Sequence, residues 1–112
     1  MNCSVLTIPQ FEKDVKKLAK KFKSIKKDLS KLIGELKEQP TQGTSLGHGV
    51  YKVRLANSSI PTGKSGGFRI ITYFIDEDDN LYLLSIYSKT EKDTISNDEL
   101  KEVLKFFNGG VG

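Results

Sequence analysis

The chain has 112 residues, 37% of them hydrophobic and 29% charged, which is enough for one compact core and too little for two. A single cysteine, Cys3, excludes an internal disulfide, and with one histidine, His48, no Cys/His zinc set can be assembled. The net charge of +4 is unevenly spread: ten lysines meet five acids up to Pro40, but eight bases meet nine acids from Thr41 onward, so the N-terminal third is the part drawn to a polyanion or an acidic partner.

No apolar run approaches the roughly 20 residues that cross a bilayer, and the start MNCSVLTIPQ lacks the basic and long apolar regions of a signal peptide. The expectation is a cytoplasmic protein with no membrane attachment, folded as a single domain over 1–112.

Cys3 to Ile8 has the β-branched content of a short strand that stops at Pro9. Phe11, Val15, Leu18, Ala19 and Phe22 then share one helical face, with lysines between them pointing outward. Thr7 and Gln10 resemble a capping box at its start. After Ser24 the same spacing recurs in Ile25, Leu29, Leu32, Ile33 and Leu36, ending at Gln39 and Pro40, so two helices turn back on each other as a hairpin. Thr41 to Gly49 carries three glycines and no helical period, and reads as a loop in which His48 is a surface side chain.

From Val50 the period becomes two. Tyr51, Val53 and Leu55 alternate with Lys52 and Arg54, placing the two cations on one strand face roughly 7 Å apart, the spacing of successive phosphates. A polar connection from Asn57 to Gly67 leads to an apolar strand, Phe68 to Ile75. An acidic turn, Asp76 to Asn80, then reverses the chain into Leu81 to Tyr87, which completes an antiparallel meander. Ser96 and Glu99 form a second possible capping box, ahead of a last helix carrying Leu100, Val103, Leu104 and Phe107. The fold class is therefore α+β: an antiparallel sheet of about four strands in the order β-α-α-β-β-β-α, with the helical hairpin on one face and the other face free for function.

Gly63, Lys64 and Ser65 invite a phosphate-loop reading, but the glycine that motif requires is replaced by Ser58 and no helix follows. Arg69 remains to be explained, because an arginine inside an apolar strand is costly unless paired or facing water.

GVYKVRLA, then GKSGGFRIITYF, an acidic turn, LYLLSIYSKTEKDTIS and a closing helix together resemble the RelE/ParE superfamily of bacterial toxins. The likeness covers nearly the whole chain, and the KxGG(x)R pattern that leads the third strand places it nearest the HigB-like branch. The resemblance implies a toxin of a type II toxin-antitoxin pair, held inactive by a cognate antitoxin. Most such toxins are endoribonucleases that cut mRNA on the ribosome, without metal or cofactor; the ParE branch instead inhibits gyrase, and both readings stay open.

For the nuclease reading, a 2′-hydroxyl must attack the neighbouring phosphate, so the site has to move a proton, neutralise charge and hold the nucleotide in line. The resemblance assigns Lys52, Arg54 and Arg69 as the catalytic set. Arg69 is the phosphate clamp, and Lys52, crowded by cations, is also a proton carrier. Lys64, Tyr73, Tyr87, Lys89 and Lys92 are the substrate-binding candidates, the tyrosines as stacking platforms. Beyond Arg69 the chain has no arginine, so the C-terminal part of the site departs from the family pattern.

Overall fold

The computed structural model describes residues 3–59, 67–92 and 95–108, the side chains of 106–108 excepted. The first strand, β1 (Ser4–Thr7), gives way to α1 (Pro9–Ala19), whose N-cap is Ile8 in extended geometry, with proline in the first turn. The expected capping box at Thr7 does not form. The helix starts one residue later than that motif requires, and Ile8 has no side-chain acceptor. Thr7 Oγ1 instead donates to Glu12 Oε2 at 2.6 Å, and Gln10 Nε2 donates to Asp14 Oδ1 at 2.9 Å.

α1 also ends earlier than its apolar spacing implies. Leu18 O accepts from the amides of Lys21 (3.0 Å) and Phe22 (2.8 Å), which tightens the last turn and redirects the chain. Phe22 thus sits in the connection 20–24, its ring edge-on to Phe68 with centroids 5.0 Å apart. The second helix, α2 (Ile25–Glu38), then runs back along the first.

The stretch expected as a loop contains a strand, β2 (Thr44–Gly47), so the sheet has five strands rather than four. Gly47 pairs with Val50, leaving His48 and Gly49 as a two-residue loop with φ of 54° and 83°. Positive φ at both positions is the type I′ turn whose twist matches that of a hairpin. The meander follows as β3 (Val50–Leu55), β4 (Phe68–Ile75) and β5 (Asn80–Ser88), with a short 3-10 turn, Asp76–Asp78, between the last two. Strand order is β1-β5-β4-β3-β2, with β1 parallel to β5 and every other pair antiparallel.

The helical hairpin covers one face, where Phe11, Leu18, Ile25, Leu29, Leu32 and Leu36 join the buried apolar residues of the sheet. The last helix, α3 (Asn97–Asn108), lies against β5 and opens with the expected capping box. Ser96 N donates to Glu99 Oε1 at 3.2 Å, and Glu99 N donates to Ser96 Oγ at 3.1 Å. No helix of the described residues is long and apolar enough to cross a membrane.

Candidate nucleic-acid interface

Strand register sets the geometry of the cationic side chains. In antiparallel pairs, directly opposed residues share a face. Arg54 pairs with Arg69, and Arg69 with Tyr87, so these three form a row across β3, β4 and β5. One step along on the same face come Lys52 opposite Ile71, and then Val50, Tyr73 and Tyr82. The register thus brings together Lys52, Arg54, Arg69, Tyr73 and Tyr87, five residues named from the sequence. Phe68 and Leu55, one residue away from the row, face the helical hairpin instead.

Exposure divides this set. Arg54 is exposed and Lys52 half-buried, whereas Arg69 is only 2% exposed. Arg69 Nη1 donates to the carbonyl of Phe68 at 3.1 Å, one of the interactions that make burial of a guanidinium tolerable. The face is therefore not simply open, as the layer argument implies. At the β5 end the chain leading into α3 closes over it: Tyr87 is 4% exposed, Lys92 Nζ stands 4.9 Å from its ring centroid, and Ile95 is buried.

Lys92 also forms an ion pair with Glu99, whose carboxyl is held below its ordinary range first by that lysine and then by the Ser96 amide. Its charge is thus engaged by α3. Lys89 follows β5 directly, half-buried, and its amide donates to Gly67 O at 3.0 Å, which keeps it one position beyond the Arg69 row. Tyr73 is half-buried and keeps ring surface accessible on the face. Lys64 lies outside the described residues.

Two acids not singled out from the sequence hold this arrangement in place. Asp28 of α2 accepts from Ser58 N and from Ser24 Oγ, each at 2.9 Å, while Asn57 Oδ1 accepts from Ser24 Oγ at 2.8 Å. Burial alone would raise the Asp28 carboxyl, but the hydrogen bonds from Ser58 and Ser24, with the charge of Lys27, outweigh it and lower the pKa. The chain leaving β3 is thereby fixed to the turn of the helical hairpin. Asp14 of α1 accepts from Ser85 Oγ at 3.2 Å and from Ile86 N at 3.3 Å, satisfying a β5 amide beyond the last β1 pair, Thr7 with Leu83. The sequence carries a signal for both: Asp14 and Asp28 fall on the apolar faces of their helices, three residues after Phe11 and Ile25.

Gly67 sets the other end of the connection. A Cβ there would lie 2.1 Å from Leu55 O and 3.0 Å from Asn57 N, so β3 and β4 approach as closely as the register demands only with glycine at this position.

A cleft of about 300 Å³ lies between α1, β5 and α3, bounded by Asp14, Lys17, Tyr87, Glu91 and Lys92 among others. It adjoins the row at Tyr87, but its lining mixes acidic and basic side chains, unlike the purely cationic pair Arg54 and Arg69. Among the described residues no three His, Cys, Asp or Glu side chains converge as a metal site would require. The row's register-fixed positive charge, with aromatic surface beside it, can neutralise and orient an anion.

Known proteins share this architecture. The free Escherichia coli toxin RelE, in a doubly substituted form, superposes with a TM-score of 0.65 at 20% identity, covering 93% of this chain and all (100%) of that one. The toxin-antitoxin complex RelBE of E. coli matches with a TM-score of 0.58 at 19% identity, over 77% of this chain and 95% of the other. For the Mycobacterium tuberculosis RelBE2 complex the values are 0.56, 16%, 79% and 99%. These likenesses establish the fold. The family model described as "RelE toxin of RelE / RelB toxin-antitoxin system" matches residues 11–109, nearly the whole chain. That model is of RelE itself, and the narrower HigB-like likeness rests on the KxGG(x)R block alone. The chain belongs to the RelE toxin family.

Proposed function

We propose that this protein is the toxin of a type II toxin-antitoxin pair and acts in the cytoplasm as a ribosome-dependent mRNA endonuclease. The observation that carries this reading is the row in which Arg54 stands opposite Arg69, with Lys52 on the same face. Three cations held by strand register meet the needs of a phosphodiester passing through a dianionic transition state.

In the proposed reaction the 2′-hydroxyl attacks the adjacent phosphorus in line and the 5′-oxygen leaves. Arg69, 2% exposed and bonded to the Phe68 carbonyl, supplies fixed charge from beneath the site, and it clamps the phosphate directly only once uncovered, as Tyr87 must also be. Arg54, exposed at the mouth, neutralises the second non-bridging oxygen. Lys52 donates the proton that the leaving 5′-oxygen takes up, while the proton lost by the 2′-hydroxyl passes to water, leaving a 2′,3′-cyclic phosphate. Tyr73 offers a stacking surface for a base. Lys89, Lys92, Lys64 and Tyr87 bind at the periphery. For Tyr87 and Lys92 this requires α3 to release them, since Lys92 is ion-paired to Glu99 and covers the Tyr87 ring. The ribosome supplies the remaining orientation, and a cognate antitoxin holds the toxin inactive.

Arg69→Ala would remove packing as well as charge, so Lys52→Ala and Arg54→Ala are the cleaner tests. Each should lower mRNA cleavage at least 100-fold, read by primer extension after induction. Thermal stability should stay within about 0.5 kcal/mol of wild type, as for surface substitutions. Intact transcripts with accumulating DNA breaks in wild-type cells would replace this reading with gyrase inhibition.

A further inference from the structure

The proposed reaction does not use the lysines of the helical hairpin; Lys31 lines a cleft with Arg54 and Lys17 one with Tyr87, but Lys16, Lys20 and Lys26 share no cleft with the row. Ten lysines and five acids fall in this region, but Asp14 and Asp28 are turned inward to Ser85, Ile86, Ser24 and Ser58. Glu12, Glu35 and Glu38 are left on the outer surface. Among the described residues the ion pairs formed are Lys92–Glu99 and Lys105–Glu102, both involving α3, and neither includes a hairpin lysine.

This charge borders a defined groove. An open cleft of about 440 Å³ runs over the turn of the hairpin, with Lys16, Lys20 and Lys26 on its sides, Glu12 at one end, and Val15 and Ala19 along its floor. Val15 and Ala19 are half-buried and packed on the core, so their outer surfaces form a fixed apolar strip one helical turn long. The three lysines are exposed.

We infer that this groove is a docking site for an acidic segment of a partner protein, which seats a small apolar side chain on Val15 and Ala19 and sets its carboxylates against Lys16, Lys20 and Lys26. Two features favour a peptide over a nucleic acid. The floor is aliphatic and offers no aromatic surface for a base. The walls are all lysine, whose point charge suits single carboxylates, and no arginine fork is present to grip a phosphate. The inference rests on the toxin reading only in supplying a reason for a partner, and its test is independent of cleavage.

The probe is a fluorescein-labelled 15-residue helical peptide with glutamates at i and i+4 flanking alanine, measured by anisotropy against the purified protein. A 12-nucleotide single-stranded RNA is run in parallel. The variant Lys16→Gln/Lys20→Gln/Lys26→Gln should weaken peptide binding at least tenfold. Lys31→Gln/Lys37→Gln, which alters the hairpin outside the groove, should change it less than threefold, and the circular dichroism melts of both should match wild type. Because none of these residues belongs to the row, mRNA cleavage should persist in the triple variant, so loss of docking and failure of the nuclease reading are separable. Equal loss in both variants would reduce the effect to diffuse charge and overturn the inference. So would RNA displacing the peptide at equal concentration, or salt-sensitive self-association of wild type that the triple variant abolishes.

Discussion

Asp28 occupies an apolar-face position of α2, and its value to the fold depends on its being ionised. Its pKa lies below the ordinary 3.8 because the hydrogen bonds from Ser58 and Ser24 and the charge of Lys27 more than offset burial. A carboxyl more acidic in the folded than in the unfolded chain contributes stability that is fully present above the unfolded pKa. That contribution disappears as pH falls through the folded value. Asp28→Asn should therefore lower stability by about 1.5–3 kcal/mol at pH 7, the range for hydrogen bonds to a charged group. The gap from wild type should narrow below about pH 3.8. Urea melts at pH 7 and pH 3 measure both quantities, and an equal gap at the two pH values would mean that the ionised form has no special role. The same scale shows why part of the site was legible and part was not. Lys52 and Arg54 declare their shared face by alternation alone, but Arg69 lies opposite Arg54 only because of the register across the long connection, which Gly67 and the Asp28 network fix through contacts remote in sequence.

Among the elements, the β2–β3 hairpin is the one whose existence depends on its turn. Gly49 adopts φ +83°, and a Cβ there would stand 2.9 Å from Phe74 O. Gly49→Ala should cost about 1–3 kcal/mol, from the strained backbone and the close contact together. His48, at φ 54°, should accept asparagine with no loss, since asparagine favours that conformation. Urea midpoints of the two variants decide: a wild-type midpoint for Gly49→Ala would show that the turn is not held as described. Both helices of the hairpin and the three meander strands were legible because each repeats its period over several residues. β2 was hidden because TSLG is short and mostly exposed, and because His-Gly stands where Asn-Gly would signal the turn. The end of α1 was overrun because Phe22 continues the apolar spacing while the backbone has already turned.

At the scale of the whole molecule, positive charge is divided between the sheet row and the helical hairpin, and these two surfaces should respond differently to salt. If single-stranded RNA contacts Lys52, Arg54 and Arg69, the logarithm of its affinity should fall with the logarithm of salt concentration with a slope of about −2, some 0.7 per neutralised phosphate. A titration from low to moderate salt with a short RNA measures it. A slope steeper than about −4 would bring the hairpin lysines into the RNA surface and contradict a separate docking groove. Topology adds a consequence in time. The helical hairpin is complete by Glu38, but β1 at the N-terminus is parallel to β5 and pairs Ser4 with Asn80, and the row Arg54–Arg69–Tyr87 needs β5 as its third member. Such distant pairings form late, because the chain between them must first be synthesised and ordered. A nascent chain can thus expose its basic helices well before the strands that assemble the cationic row have paired, so the surface fitted to an acidic partner is the earlier of the two to mature.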